Sequence, residues 1–245
     1  MPFRLGVVSY LNCIHLYHSL LDTGEVEIIE RLPAELSELL ESGEADVALL
    51  PLFEYLRGVG EALVPGVSIA SDGPVQSVAL FLKKPLPEVR SIAADRGSRS
   101  SVALLRVLLK ERYAIAPNIS SRKAQHRGGF VSVLDLGEEW TAWTRLPFVY
   151  AAWTTRKGLT PAQAEELTRL LNRARDEGFQ RLDRIAAEQR GRGGLDEQGI
   201  IEYLTRNIQT EFGERQLRGA EEYGRYCVKH GLLPKTRMLT FCGGQ

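Results

Sequence analysis

LGVVSYLNCIHLYHSLL (Leu5–Leu21) starts as a short apolar run of strand type and changes character at Ser9-Tyr10-Leu11-Asn12. Beyond that corner Ile14, Tyr17, Leu20 and Leu21 recur at helical spacing, and Gly24 marks where such a helix would stop. A buried strand that hands over to a helix is the opening unit of an α/β fold. The polar corner has two readings. Asn12 is a helix N-cap with Tyr10 packed beside it, or the free N–H groups and the Asn12 amide form a wall of a ligand site.

The same alternation continues outward. VEIIERL (26–32) is a strand, PAELSELLESG (33–43) a helix with Pro33 in its first turn, and ADVALLP (45–51) a strand apolar enough to be buried on both faces. LFEYLRG (52–58) is a short helix. VSIASDGPVQSVALFLKKP (67–85) reads as two strands joined at Ser71-Asp72-Gly73-Pro74. VRSIAAD (89–95) and RGSRSSVALLRVLLKERY (96–113) begin a second α/β unit, with Ser98 or Ser100 as N-cap. FVSVLDL (130–136) and FVYAAWTTR (148–156) are strands around the helix GEEWTAWTRL (137–146), and Thr160-Pro161-Ala162-Gln163 is a capping box that starts a helical C-terminal third. The order implies a large lobe of 1–82 plus 154–245, with a smaller lobe, 83–153, inserted in it and a cleft between the two. Ligands favour such interfaces and the carboxyl ends of parallel strands.

Bulk properties narrow the function. The chain has 245 residues, 44% hydrophobic and 25% charged, with 31 basic and 31 acidic side chains. A formal charge of zero gives no footprint for nucleic acid. No apolar run reaches the ~18 residues of a membrane span. Three scattered cysteines and the absence of a secretory leader before the first strand lead us to expect a cytoplasmic protein.

Three stretches concentrate polar groups where a ligand could sit. They are Ser9–Asn12, the turn SDGPVQS (71–77), and DRGSRSS (95–101), where Ser98, Arg99, Ser100 and Ser101 gather at a helix start suited to an anion. Each also has a plainer reading as cap or turn. Cys13, His15 and His18 lack the second ligand pair of a zinc site, so no metal is expected. RLDRIAAEQRGRGG (181–194) mixes both signs of charge and reads as a solvated face.

Several stretches in the same order resemble one family, the MqnA chorismate dehydratases of the futalosine route to menaquinone: VSYLNCIHLYHSL, GEADVALLPLFEYLR, VSIASDGPVQSVALFLKKP, SRSSVALLRVLL, LDLGEEWTAWTRLPFVYAAW and IEYLTRNIQTEFGERQLRGAEEY. The resemblance implies a type 2 periplasmic-binding-protein-like α/β fold with a ligand cleft between two lobes. It implies a cofactor-independent lyase whose substrate is a small dicarboxylate, chorismate. Carried over motif by motif, it places Asn12 and Ser9 at the chemistry. Tyr10, Leu11, Pro51, Glu54, Gly73, Val75, Gln76, Ser77, Ser98, Arg99, Ser100 and Ser101 are placed around the substrate. Two departures stand out: His15 replaces a usual Pro, and after ERYAIAPN the chain lacks a strand of the type DAALLIGD. A non-catalytic solute binder on the same fold and an MqnD-type lyase are the alternatives. The latter lacks its CPNDTF-like opening here.

Overall fold

The computed structural model describes residues 2–95, 97–121 and 128–243. Arg96 of the Ser-rich loop and residues 122–127 of the stretch that departs from the family pattern therefore lie outside the described residues. The chain runs β1 (Phe3–Val7), β2 (Val26–Glu30), α1 (Pro33–Glu41), β3 (Val47–Pro51), α2 (Leu52–Arg57), β4 (Leu63–Ser71), β5 (Ala79–Leu82), β6 (Ser91–Ala94), α3 (Arg99–Glu111), β7 (Asn118–Ser121), β8 (Ser132–Asp135), α4 (Leu136–Thr144) and β9 (Phe148–Thr155). Helices α5 (Pro161–Gln180), α6 (Leu182–Glu188), α7 (Glu197–Glu202) and α8 (Glu214–Lys229) follow, with one turn of π-helix, Tyr203–Asn207, after α7.

Five strands form the main sheet in the order β2-β1-β3-β9-β4. β1 is parallel to both β2 and β3, and β9 is antiparallel to both β3 and β4. The apolar run of β3 is explained by its central place: Val47 to Leu50 are all buried. The chain leaves this sheet after Ser71 and re-enters it at Phe148, directly opposite, against boundaries expected at 82/83 and 153/154. Between those points lie two two-stranded sheets, antiparallel β5-β8 and parallel β6-β7. β7 was not expected from NISS, whose one apolar residue, Ile119, gives no alternation.

The 12–21 segment is not an α-helix. It forms two 3₁₀ turns, Ile14–Leu16 and His18–Leu20, separated by Tyr17 at φ −139°. All residues from Cys13 to Leu20 are buried, so their helical spacing does not define one apolar face. Helix α5 presses close: a Cβ on Gly178 would stand 1.7 Å from the His15 carbonyl oxygen. Asn12 therefore caps nothing; the residue before the first turn is Cys13, and it makes no side-chain cap bond. Thr160 does cap α5 as expected. Its hydroxyl accepts from Gln163 N–H at 3.3 Å, and Gln163 Oε1 accepts from Thr160 N–H at 3.0 Å.

The two lobes share one core. Trp140 of α4 is fully buried, donates from Nε1 to the Pro147 carbonyl at 3.2 Å, and meets Phe148, Tyr223 and Tyr226 edge-on. Such edge-to-face pairs add to area burial by about 0.5–1.5 kcal/mol each.

Candidate active site

The Val8–Asn12 corner is held through its backbone. The Val8 carbonyl accepts from Tyr17 Oη at 3.0 Å and from the Cys13 thiol at 3.2 Å. The Tyr10 carbonyl accepts from Cys13 N–H and from its thiol, both at 3.1 Å. Arg192, from the GRGG turn far along the chain, donates to the Ser9 carbonyl. Burial pushes the Cys13 thiol up to about 12, so it stays a protonated donor rather than a nucleophile. With the carbonyls tied, the Ser9 hydroxyl and the Asn12 amide are half-buried and make no hydrogen bond among the described residues.

Tyr10 reaches from this corner toward the other lobe. It is 46% exposed, and its hydroxyl lies 3.5 Å from the place a Cβ on Gly97 would take. Burial, and then the nearby Asp95 carboxylate, raise its pKa above the ordinary phenol value. The end of β1 thus faces the loop that leads into α3.

That loop sorts its serines by helical position. The Ser98 hydroxyl donates to Ser101 Oγ at 2.7 Å rather than to a backbone N–H, so Ser98 occupies the N-cap position without capping by its side chain. Ser98 and Ser101 are three residues apart, lie on one face of the helix start and line a cavity. Ser100 points the other way, with its Oγ accepting from Phe53 N–H at 3.1 Å and its carbonyl from Tyr223 Oη at 3.0 Å. Arg99 donates to Glu54 Oε1 at 3.0 Å. Glu54, 1% exposed, also receives Arg57 at 3.2 Å and the Ser37 hydroxyl at 3.3 Å. Glu54, Arg99 and Ser100 thus bind α2 of the large lobe to α3 of the small one.

The crossover is locked by Asp135. Its Oδ1 accepts from Val75, Gly137 and Glu138 N–H at 3.1, 2.9 and 3.1 Å, and its Oδ2 from Gln76 N–H at 2.6 Å. Gln76 is held at φ 62°, a left-handed conformation that costs a non-glycine residue roughly 1 kcal/mol. Gly137 cannot carry a side chain, since a Cβ there would stand 2.6 Å from both Ser71 Oγ and Tyr150 Oη. From the other side, Tyr203 Oη donates to Ser77 Oγ at 2.7 Å and Asn207 Nδ2 to the Pro74 carbonyl at 2.8 Å.

The result is a cavity of about 970 Å³ lined by Gln76, Ser77, Ser98 and Ser101 and running along every residue of β5 and β6. Lys83, Lys84 and Arg90 supply cations to its lining, and Glu88 and Asp95 anions. A second hollow of about 260 Å³ is bounded by Val8, Ser9, Tyr10, Glu30 and Arg31. The structure therefore brings Gln76, Ser77, Ser98 and Ser101 together, with Ser9 and Tyr10 at an adjoining hollow. Val75 is fully buried as an anchor, and Leu11, Asn12, Pro51 and Gly73 line neither space. Sequence reasoning missed Arg192, Tyr203, Asn207 and the four-fold role of Asp135. Only Asp135 had a local signal, an Asp just before a helix.

Among the described residues there is no group of three or more His, Cys, Asp or Glu placed to hold a metal. His18 and His230 each meet one carboxylate, Glu188 at 2.8 Å and Glu111 at 2.6 Å. Neither ring nitrogen of buried His15 has a partner among the described residues, and burial lowers it to about 4, so it stays neutral.

The sequence matches a family model described as menaquinone biosynthesis over residues 3–127 and 121–229. This chain belongs to that family. The two matched stretches meet at 121–127, beside the place where a strand was missed in the sequence. The chain is 33% identical over 239 residues to a chorismate dehydratase of Thermus thermophilus, a match covering 83% of this chain and 87% of that protein. Among solved structures, protein AF1704 from Archaeoglobus fulgidus superposes with a TM-score of 0.74 at 16% identity, covering 95% and 98% of the two chains. The Escherichia coli periplasmic aliphatic sulphonate binding protein SsuA superposes at 0.59 with 15% identity, covering 100% and 94%. This family member thus has the two-lobed periplasmic-binding-protein-like fold.

Proposed function

We propose that the chain is a chorismate dehydratase, a carbon–oxygen lyase that removes water from chorismate to give 3-[(1-carboxyvinyl)oxy]benzoate, first step of the futalosine route. Its relationship to the Thermus enzyme supports this reading. The observation that supports it structurally is the approach of Tyr10 to Gly97, which sets the Ser9–Asn12 corner beside the loop that carries Ser98 and Ser101.

In the reaction a ring C–O bond and a neighbouring C–H bond break, the hydroxyl and proton leave as water, and the ring becomes aromatic. Aromatisation supplies much of the driving force, so the protein's task is to bind two carboxylates and orient the leaving group. Gln76, Ser77 and Ser101 serve as neutral hydrogen-bond donors to the substrate, Ser98 leaving the Ser101 proton free by donating to its oxygen, and the cations of the cavity lining assist. The Asn12 amide, outside both hollows but half-buried and without a partner among the described residues, is assigned as the donor to the departing hydroxyl. An amide is no base, and in this reading a substrate carboxylate takes the ring proton. Three buried free cysteines suit the cytoplasm, where we place the reaction.

The test is direct. Purified protein is mixed with chorismate, without added metal or cofactor, and product mass is followed against a no-enzyme control. Appearance of the species lighter by one water supports the assignment. A chain that gains thermal stability with chorismate yet forms no product is a binder, and the lyase reading is then abandoned.

A further inference from the structure

Tyr203 opens the π-helical turn that follows α7. Such turns are rare and recur at functional sites, because the extra residue re-aims the side chains beside it. Here the turn addresses the crossover twice. Its first residue donates to Ser77 Oγ at 2.7 Å and its last, Asn207, donates to the Pro74 carbonyl at 2.8 Å. Across the same short segment, Asp135 holds Val75 and Gln76 by their N–H groups. The backbone of 74–77 is therefore clamped from two sides, yet Ser77 lies in the cavity wall.

The phenol has one proton and gives it to Ser77. Tyr203 is 6% exposed, and burial raises its pKa, so it remains a donor throughout the neutral range. A serine hydroxyl that accepts from a tyrosine has its own proton left to give. The internal acceptor for that proton, the Val75 carbonyl, stands at 3.4 Å, beyond the ordinary O–H···O length. The favourable direction is into the cavity.

We infer that Tyr203 is a positioning residue for the proposed dehydration, acting through Ser77 by making its hydroxyl a hydrogen-bond donor toward a substrate carboxylate. The inference rests on the dehydratase reading. The carboxylate meant is the one that does not take the ring proton; it is bound alike before and during the elimination, so the effect belongs in KM rather than kcat.

Tyr203→Phe keeps the ring and removes only the hydroxyl. It is compared with Ser77→Ala and with the double variant, in steady-state turnover of chorismate and in thermal melting. The expected result is a roughly tenfold rise in KM for Tyr203→Phe with kcat little changed. Ser77→Ala should lose at least as much, and the double variant no more than Ser77→Ala alone. A Tyr203→Phe enzyme with wild-type KM and a lowered melting point overturns the inference and leaves a packing contact. Losses that add in the double variant overturn it too, because Tyr203 then does not act through Ser77. A wild-type chain inert toward chorismate removes the dehydratase reading and this inference together. An active wild type with an unimpaired Tyr203→Phe removes the inference alone.

Discussion

Glu54→Gln separates bracing from chemistry. The carboxylate is 1% exposed and is engaged by Arg99 at 3.0 Å, Arg57 at 3.2 Å and the Ser37 hydroxyl at 3.3 Å. Removing one partner of a buried ion pair costs about 3–5 kcal/mol when the orphaned charge stays buried. The side chains of Arg99 and Arg57 are 37% and 46% exposed, so both can rehydrate. The loss then falls to about 2–3 kcal/mol, set by charge-assisted hydrogen bonds made weaker with a neutral acceptor. For a chain of this size that is about 5–10 °C in melting temperature. The assay is chemical denaturation followed by two probes, together with chorismate turnover per folded molecule. Stability should drop while turnover stays within about fivefold, and an Arg99→Met cycle should return a coupling of about 1–2 kcal/mol. Unchanged stability with turnover cut a hundredfold would mean that Glu54 acts on the ligand, and the bracing argument would be refuted.

Asp46 gives a pH signature. Burial pushes its carboxyl up, but hydrogen bonds from Arg4 and Arg156 outweigh this and hold it at about 2. The folded value lies below the unfolded one, near 4, so about 1–2 kcal/mol of stability is present above pH ~4 and is lost as pH falls toward 2. Urea titrations of wild type and Asp46→Asn should show a gap at pH 6 that is about halved by pH 3 and nearly closed by pH 2. Gly178→Ala drives a Cβ to 1.7 Å from the His15 carbonyl oxygen, backbone that has no room to yield, and should cost about 3 kcal/mol by urea midpoint. Asn12→Ala should cut chorismate turnover at least a hundredfold while changing stability by less than about 0.5 kcal/mol, since the amide makes no bond within the described structure. Wild-type turnover in that variant removes Asn12 from the chemistry.

What could be read from the sequence was whatever local physics decides. β1 to β3 with α1 and α2 follow from apolar runs punctuated by Pro33, Gly43 and Gly58, and α5 from its capping box. The stretch from Cys13 to Leu20 misled because spacing reports a helix only when one face is wet, and here α5 closes over the other side. β4 and β5 were recognised as strands, but their partners, β9 and β8, lie far along the chain and no local signal names them. The site shows the same division. Ser98 and Ser101 share a face by helical arithmetic, which also turns Ser100 away. The pairing of Glu54 with Arg99, and of Ser77 with Tyr203, joins residues from distant elements and depends on how the lobes pack.

The pairing of Ser71 with Phe148 has a kinetic consequence. β4 is an edge strand bonded within the main sheet only to β9, so it cannot join until β9 is in place. Bringing the two ends of a flexible loop as long as 72–147 together costs of order 4 kcal/mol. An insert that has already collapsed presents its ends side by side and removes most of that cost. One half of the large sheet therefore waits on the small lobe. Destabilising changes within 72–147 should slow refolding of the whole chain as well as hastening its unfolding.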